Sequence, residues 1–88
     1  MQNETAAALY QEFGRLVVPV DDVRTSYFSE YGWDTFRRKL FSGALKLPCL
    51  QLTEGQKAKL YVDVRDLADY LDARRDAARR DLRRKSVV

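Results

Sequence analysis

Apolar residues recur at helical spacing near the start of the chain. Four of them lie three or four positions apart on one helical face: Ala6, Leu9, Tyr10 and Phe13. This pattern predicts an amphipathic helix over residues 4–13, with Asn3 as its N-cap and Gly14 at its end. A short apolar run at residues 16–18 follows, two of its three residues being β-branched valines, and Pro19 lacks an amide donor, so we expect a single edge strand here.

Two short helices separated by a tight turn are predicted next. The first covers residues 22–30, with Asp21 as its cap. Its inward-facing residues are expected to be Val23, Tyr27 and Phe28. The second covers residues 35–42 with Asp34 as its cap, and Gly32 lies in the turn between the two helices. This layout is that of a helix-turn-helix.

Alternating apolar and polar residues predict two strands farther along the chain. The first covers residues 50–52, and the second alternates from Leu60 to Val64. The loop between them, residues 53–58, is polar and contains a glycine, which is typical of a hairpin tip. Together with residues 16–18, the hairpin predicts a small three-stranded sheet.

The last predicted element is a long helix over residues 64–84. One stripe of this helix carries the apolar residues Val64, Leu67, Ala68, Leu71, Ala78 and Leu82. Beyond Ala73 the sequence is almost entirely charged residues and alanine, so this part is expected to leave the globule as helix and to fray toward Val88. The chain is therefore predicted to be one α+β domain, residues 1–88: a small winged helix-turn-helix with a β-hairpin wing, a long C-terminal helix and a basic tail at 74–88.

Charge is distributed unevenly along the chain, although the net charge is only +3. Residues 1–34 carry two basic and six acidic side chains, and residues 61–73 carry one and four. Residues 35–60 carry six basic and one acidic side chain, and residues 74–88 carry seven and two, so each of these segments has a charge of +5. Clustering of this kind is what a phosphate-binding surface requires.

Composition and motifs argue against several classes of protein and site. Cys49 is the only cysteine and histidine is absent, so neither an internal disulfide nor a Cys/His metal site is expected. The thiol is interpreted as a small buried or half-buried hydrophobe, with a reactive or redox-active thiol as the alternative. Nucleotide-binding, nucleophile-elbow and metal-ligand motifs are absent, which predicts no enzyme, no cofactor and no small-molecule ligand. No segment resembles a membrane span or a secretory signal, which predicts a cytoplasmic protein with no membrane partner.

The third predicted helix, residues 35–42, carries the candidate base-contacting side chains. One polar face of it consists of hydrogen-bond donors: Thr35, Arg38, Lys39 and Ser42. The major groove presents mostly acceptors, so such a face suits a recognition helix, although an ordinary solvated face is the alternative. Arg37 lies nearer Phe41 and the edge of the core and is expected either to lay its aliphatic stem along the apolar surface with its charge in solvent or to reach a phosphate. The aromatic residues, Trp33 and Phe41 included, are assigned to core packing.

The hairpin tip is a second candidate contact with nucleic acid. Within residues 54–59 it carries Gln56, Lys57 and Lys59, placed to neutralise phosphates or to enter the minor groove. Lysine-bearing turns are also ordinary solubilising features, so the interpretation depends on the neighbouring basic helix. A basic helix followed by a basic hairpin is typical of a winged helix-turn-helix.

The basic tail is a third candidate. Its arginines are Arg74, Arg75, Arg79, Arg80, Arg83 and Arg84. A phosphate-binding arm, a self-association helix and a solubilising end are its three candidate roles, and we weight self-association on DNA most. A regularly spaced acidic run precedes it, interpreted as a solvated face or as partners of the first two arginines: Asp63, Asp66, Asp69 and Asp72.

Several segments, taken in order, resemble the pyocin activator proteins. They are Val18-Pro19-Val20, Arg24, Tyr27-Phe28-Ser29, Phe36-Arg37-Arg38-Lys39-Leu40, Gly43, Leu47-Pro48, Gln56-Lys57 and the block at residues 64–75. The resemblance covers roughly residues 5–80 and implies a transcription activator that binds a short promoter element upstream of pyocin genes, which encode phage-tail-like bacteriocins. The layout is also similar to excisionases, which bind direct repeats cooperatively and bend DNA.

Three functions are therefore considered. The first is sequence-specific activation of pyocin or prophage-type genes, with double-stranded DNA at an element expected to be repeated, self-association on it, and RNA polymerase as a candidate partner. The second is an excisionase-like architectural protein that bends DNA. The third is a small protein-interaction regulator whose tail binds an acidic partner. Strongly salt-dependent DNA binding would separate the first two from the third.

Overall fold

The computed structural model describes residues 3–55 and 58–86. The helices are α1 (Glu4–Phe13), α2 (Val20–Tyr27), α3 (Trp33–Ser42) and α4 (Val64–Ser86). The strands are β1 (Val17–Pro19), β2 (Leu50–Gln51) and β3 (Leu60–Asp63). The predicted α+β class and the long C-terminal helix are confirmed. The order of the elements also fits a winged helix-turn-helix, because α2, a short turn and α3 are followed by the β2–β3 hairpin. The ladder of this hairpin is short.

Local signals set both ends of α1. Asn3 accepts hydrogen bonds from two first-turn amides at 2.7 and 3.1 Å. Gly14, at φ 76°, ends the helix in the left-handed region, and its amide donates to the Tyr10 carbonyl at 2.8 Å. Both predicted caps are confirmed. The helix buries Ala6 and Leu9, but Tyr10, predicted to face the core, is 43% exposed because it lies at the margin of the apolar stripe.

The predicted caps of the next two helices are wrong. α2 begins directly after Pro19, and Asp21 therefore lies in the first turn. α3 begins directly after Gly32, and Asp34 lies in its first turn. An aspartate is favoured both at an N-cap and in the first turn, where it interacts with the helix dipole, so its presence leaves the helix start uncertain by two residues. α2 also ends at Tyr27, three residues earlier than predicted.

The sheet is antiparallel with β3 as its central strand, in the order β1-β3-β2. Val18 lies opposite Val62 in the β1–β3 ladder, and β2 pairs with the first two residues of β3. The predicted edge position of β1, with Pro19 at its end, is confirmed. Leu52 was expected in β2 but follows it and is 61% exposed, because the ladder ends after two residue pairs.

The core lies between the sheet, the inner faces of α1 to α3 and the first half of α4. Its largest fully buried side chains are Phe36, Leu67, Val18, Val20, Val23, Val62 and Val64. Phe28 packs against Phe36 and Tyr70, with ring centroids 5.2 and 5.6 Å apart. Tyr27, predicted to face inward, is instead 37% exposed, and its hydroxyl donates to the Glu12 carboxylate on α1. Partial burial, together with this hydrogen bond, raises the pKa of Tyr27 to about 12.

Two members of the acidic run have structural partners that the sequence did not predict. Asp63 accepts the Arg65 amide at 2.8 Å and pairs with the Arg65 guanidinium at 2.6 and 2.9 Å, which lowers the pKa of Asp63. Asp72 accepts hydrogen bonds from the Thr5 hydroxyl at 2.7 Å and the Asn3 side-chain amide at 3.1 Å, which lower its pKa. The second pair of bonds joins the start of α1 to the middle of α4.

Asp72→Asn should therefore weaken the protein in a pH-dependent way. The two donors bond different carboxylate oxygens, and an asparagine presents an NH2 group in place of one of them, so one hydrogen bond is lost and the free energy of unfolding should fall at neutral pH. A carboxylate with a lowered pKa in the folded state stabilises the protein fully above its unfolded pKa, about 3.9, and this stabilisation is lost as the pH falls through the folded value. Urea denaturation should show the difference between wild type and variant closing below about pH 4.

Asp76→Asn is the matched control, because Asp76 is exposed one turn farther along the same helix. It should change the free energy of unfolding little at any pH. A difference between wild type and Asp72→Asn that stays constant with pH would contradict the assignment.

Candidate DNA interface

α3 has one buried side and one exposed side. Phe36 is fully buried, so the opposite side of the helix faces solvent. That exposed side carries Asp34, Arg37, Arg38 and Phe41 and is called the outer face below. The Arg37 guanidinium carbon lies 5.3 Å from the Phe41 ring centroid, a cation–π contact. The expected proximity of Arg37 to Phe41 is confirmed, but the ring assigned to the core is 63% exposed.

The other candidate base-contacting residues lie beside the outer face or at its edge. Thr35 and Lys39 are half-buried, and the Lys39 Nζ lies 5.2 Å from the Tyr31 ring centroid. Ser42 is exposed, and its hydroxyl donates to the Lys39 carbonyl at 3.3 Å. Of the four residues predicted to share one face, Arg38 and Ser42 are therefore exposed, whereas the other two turn partly inward.

The β2–β3 hairpin lies beside α3. A groove of about 360 Å³ is lined by Trp33 and Arg37 of α3, by Lys59 and its neighbours, and by the residues at the start of α2 (Pro19, Val20 and Asp21), so its charge is mixed. Trp33, assigned to the core from the sequence, is 39% exposed. Gln56 and Lys57 lie outside the described residues. Arg37 and Lys59 therefore border the same groove from two different elements.

The basic tail extends beyond the globule, as predicted. All six of its arginines are exposed, and Leu82 is 65% exposed. The chain measures 53 × 30 × 18 Å along its principal axes. The base of the tail lies near the end of α3, because Lys46 from the α3–β2 loop and Arg74 from α4 line one groove of about 560 Å³. Asp66 and Asp69 line the same groove, so its charge is mixed.

Four described cations form ion pairs, and one of them, Arg84, belongs to the candidate tail. The paired cations are Arg15 with Asp22, Arg24 with Asp21, Arg65 with Asp63 and Arg84 with Asp81, at 3.7, 3.3, 2.6 and 3.2 Å. Within residues 3–55 and 58–86, no ion pair involves α3 or Lys59. The guanidinium groups of Arg37 and Arg38 and the ammonium groups of Lys39 and Lys59 are therefore not held by ion pairs with described parts of the protein, although Asp34 lies on the same face of α3 as the two arginines.

Sequence reasoning missed the exposure of Phe41, although a signal for it was present. Phe41 follows Phe36 by five residues, which places the two side chains roughly 140° apart on a helix. A surface helix typically buries an apolar stripe roughly 100° wide, so burial of both rings is not expected in a short helix with polar residues between them. The sequence does not say which ring is buried; the packing of Phe36 against Phe28 decides this.

The described residues offer little support for a reactive thiol, a metal site or a membrane-spanning helix. Cys49 is half-buried, as expected, and burial raises the pKa of its thiol, which disfavours the reactive thiolate. No group of three metal-ligating side chains occurs in the part of the chain that the structure describes. Among the described helices, none combines the length and apolar character needed to cross a membrane.

Comparison with known proteins gives one match. The family model described as "Pyocin activator protein PrtN" matches residues 5–78, which include α3, the hairpin and the first half of α4. No curated protein and no solved structure matches the chain. The family is one of regulators rather than of enzymes. Because the match spans most of the chain and includes the segments on which the resemblance was based, the chain belongs to the pyocin activator protein PrtN family.

Proposed function

We propose that this protein is a transcription activator that binds double-stranded DNA sequence-specifically at a promoter element of pyocin or prophage-type genes. The observation that carries the proposal is the outer face of α3, where Arg37 and Arg38 have no ion-pair partner among the described residues. An arginine on an exposed helix is suited to a bidentate contact with guanine in the major groove. Membership of the pyocin activator family supports the activating role.

The proposed roles follow from exposure. Arg38 contacts base edges from the middle of the outer face, and Ser42 donates to bases or phosphates at its end. Arg37 is proposed to approach the major groove of the DNA beside Arg38, with its guanidinium over the Phe41 ring. Thr35 and Lys39, which are half-buried, are proposed to contact the sugar-phosphate backbone at the edge of the groove.

The hairpin and the tail are proposed to contact phosphates. Lys59 faces the groove beside α3, and Gln56 and Lys57 are assigned to the same role. The six tail arginines lie on all sides of their helix, so the tail can approach DNA without a fixed rotation about its axis. Two tails of like charge repel each other, and self-association is therefore proposed only on DNA, where phosphates neutralise them.

Lys59→Ala tests the hairpin. It should weaken binding to all duplexes alike and reduce the slope of log affinity against log salt by about 0.9, the value for one lost phosphate contact. The slope is measured by fluorescence anisotropy on a duplex of arbitrary sequence between about 50 and 200 mM salt. Arg15→Ala removes the same charge from a residue already paired with Asp22 and serves as the control. Equal slopes for wild type and Lys59→Ala would remove Lys59 from the interface.

The DNA sequence is found by selecting bound duplexes from a randomised library with the wild-type protein. One enriched motif is expected, and a motif repeated at fixed spacing would support binding of several copies. The absence of any enriched motif would contradict sequence-specific binding. The enriched duplex is called the selected duplex below.

A further inference from the structure

Phe41 has the most exposed aromatic ring in the described part of the chain, and its position on the outer face distinguishes it from an ordinary surface residue. A single exposed apolar side chain needs no explanation by itself. This ring, however, lies one helical turn beyond Arg37, whose guanidinium lies over it, and three residues beyond Arg38. The exposed Phe41 ring therefore lies beside the two arginines that are proposed to enter the major groove.

A protein partner is the competing occupant of this surface. Beside Phe41 is a groove lined by apolar residues of the α3–β2 segment, among them Leu47 and Pro48. Arginine and aromatic residues are enriched at protein–protein interfaces too, so Arg37 and Arg38 beside the ring do not by themselves decide between the two occupants. The decisive feature is the charge of the whole segment: residues 35–60, which include α3, carry six basic side chains and one acidic one. Clustered positive charge of this kind favours DNA.

We propose that Phe41 determines part of the DNA specificity by packing against the C5-methyl group of a thymine in the major groove. This inference rests on the proposed function, since it requires α3 to enter that groove. The methyl group is the apolar feature that a base presents there, and phenylalanine is among the side chains that contact it. An aromatic ring cannot hydrogen-bond to the edge of cytosine or adenine, so it favours thymine over the other bases.

The contact between Arg37 and the ring adds a prediction about neighbouring bases. The guanidinium lies 5.3 Å from the ring centroid, and successive bases of one strand are about 3.4 Å apart along the helix axis. The two side chains therefore reach base pairs no more than about two steps apart. Arginine favours guanine, so a thymine with a guanine within two positions is expected in the selected motif.

The test uses the selected duplex in two forms, one with thymine and one with deoxyuridine at each thymine position in turn. Uracil lacks only the C5-methyl group. Wild-type protein should bind the form with uracil at the contacted position roughly fourfold more weakly, as expected for one buried methyl group. Phe41→Ala should bind both forms equally. Phe41→Leu, which keeps an apolar side chain, should retain part of the difference.

Leu52→Ala is the matched control, because Leu52 is exposed to a similar extent, 61% against 63% for Phe41, but lies on the hairpin. This variant should keep the full thymine–uracil difference. Equal binding of the two forms by the wild-type protein would overturn the proposal while leaving DNA binding intact. A thymine–uracil difference that persists in Phe41→Ala would also overturn it. So would a lower solution mass of Phe41→Ala than of the wild type with unchanged discrimination between the two forms, because that result would assign the ring to an interface between copies of the chain. If the wild type selects no motif, the proposed function itself fails.

Discussion

Arg38→Ala is expected to remove much of the discrimination between the selected duplex and a duplex of shuffled sequence. Arg38 is exposed on the outer face of α3 and has no ion-pair partner among the described residues, so its guanidinium is available for a base. Losing a bidentate contact costs about 1–3 kcal/mol, which lowers the ratio of the two affinities roughly 5- to 150-fold. The ratio is measured by competition at constant salt.

The control for this prediction is again Arg15→Ala, which removes one positive charge from the α1–β1 turn. It should leave the ratio of the two affinities unchanged. The circular dichroism spectrum of Arg38→Ala should match that of the wild type, because an exposed side chain contributes little to stability. If Arg38→Ala keeps the full ratio, α3 does not discriminate between bases through this residue.

Phe36→Ala is expected to have the largest effect on stability. Phe36 is fully buried and packs against Phe28 and Trp33, with ring centroids 5.2 and 6.4 Å apart. Replacing a buried phenylalanine by alanine costs about 3–5 kcal/mol, a large part of the roughly 5–15 kcal/mol that stabilises a small domain. The urea midpoint should fall steeply, and the variant should be partly unfolded at elevated temperature.

Phe41→Ala is the control for Phe36→Ala, since it makes the same change five residues away on the same helix. Because the Phe41 ring is 63% exposed, the free energy of unfolding should change by no more than about 0.5 kcal/mol. Equal losses in the two variants would show that the buried and exposed sides of α3 are assigned wrongly. Loss of Phe36 would also displace Arg37 and Arg38, so it should reduce DNA binding through misplacement rather than loss of contact.

The parts of the fold that could be predicted are those set by single residues at the ends of helices and strands. Asn3 and Gly14 act within one turn of α1, and both ends of that helix are where the sequence places them. Pro19 places β1 at the edge of the sheet because it lacks an amide donor. The starts of α2 and α3 were misplaced because Asp21 and Asp34 are equally compatible with two positions in a helix.

The sequence predicted which helix carries the candidate interface, but not which side of that helix is exposed. The positive charge of α3 is evident from the sequence, yet its rotation depends on which aromatic ring finds a partner in the core. Phe36 packs against Phe28, so the outer face is centred nearer Phe41 than the predicted donor face at Thr35 and Lys39. The bonds from Asn3 and Thr5 to Asp72 join residues far apart in the chain, and no periodicity reveals them.

The central claim is that this member of the pyocin activator family recognises a DNA sequence through α3. It is tested most directly by the ratio of wild-type affinities for the selected and shuffled duplexes at one physiological salt concentration. Specific binding predicts a ratio of at least about 10³. Equal affinity for the two duplexes, with the same salt dependence, would contradict sequence recognition and leave only the attraction between basic residues and phosphate.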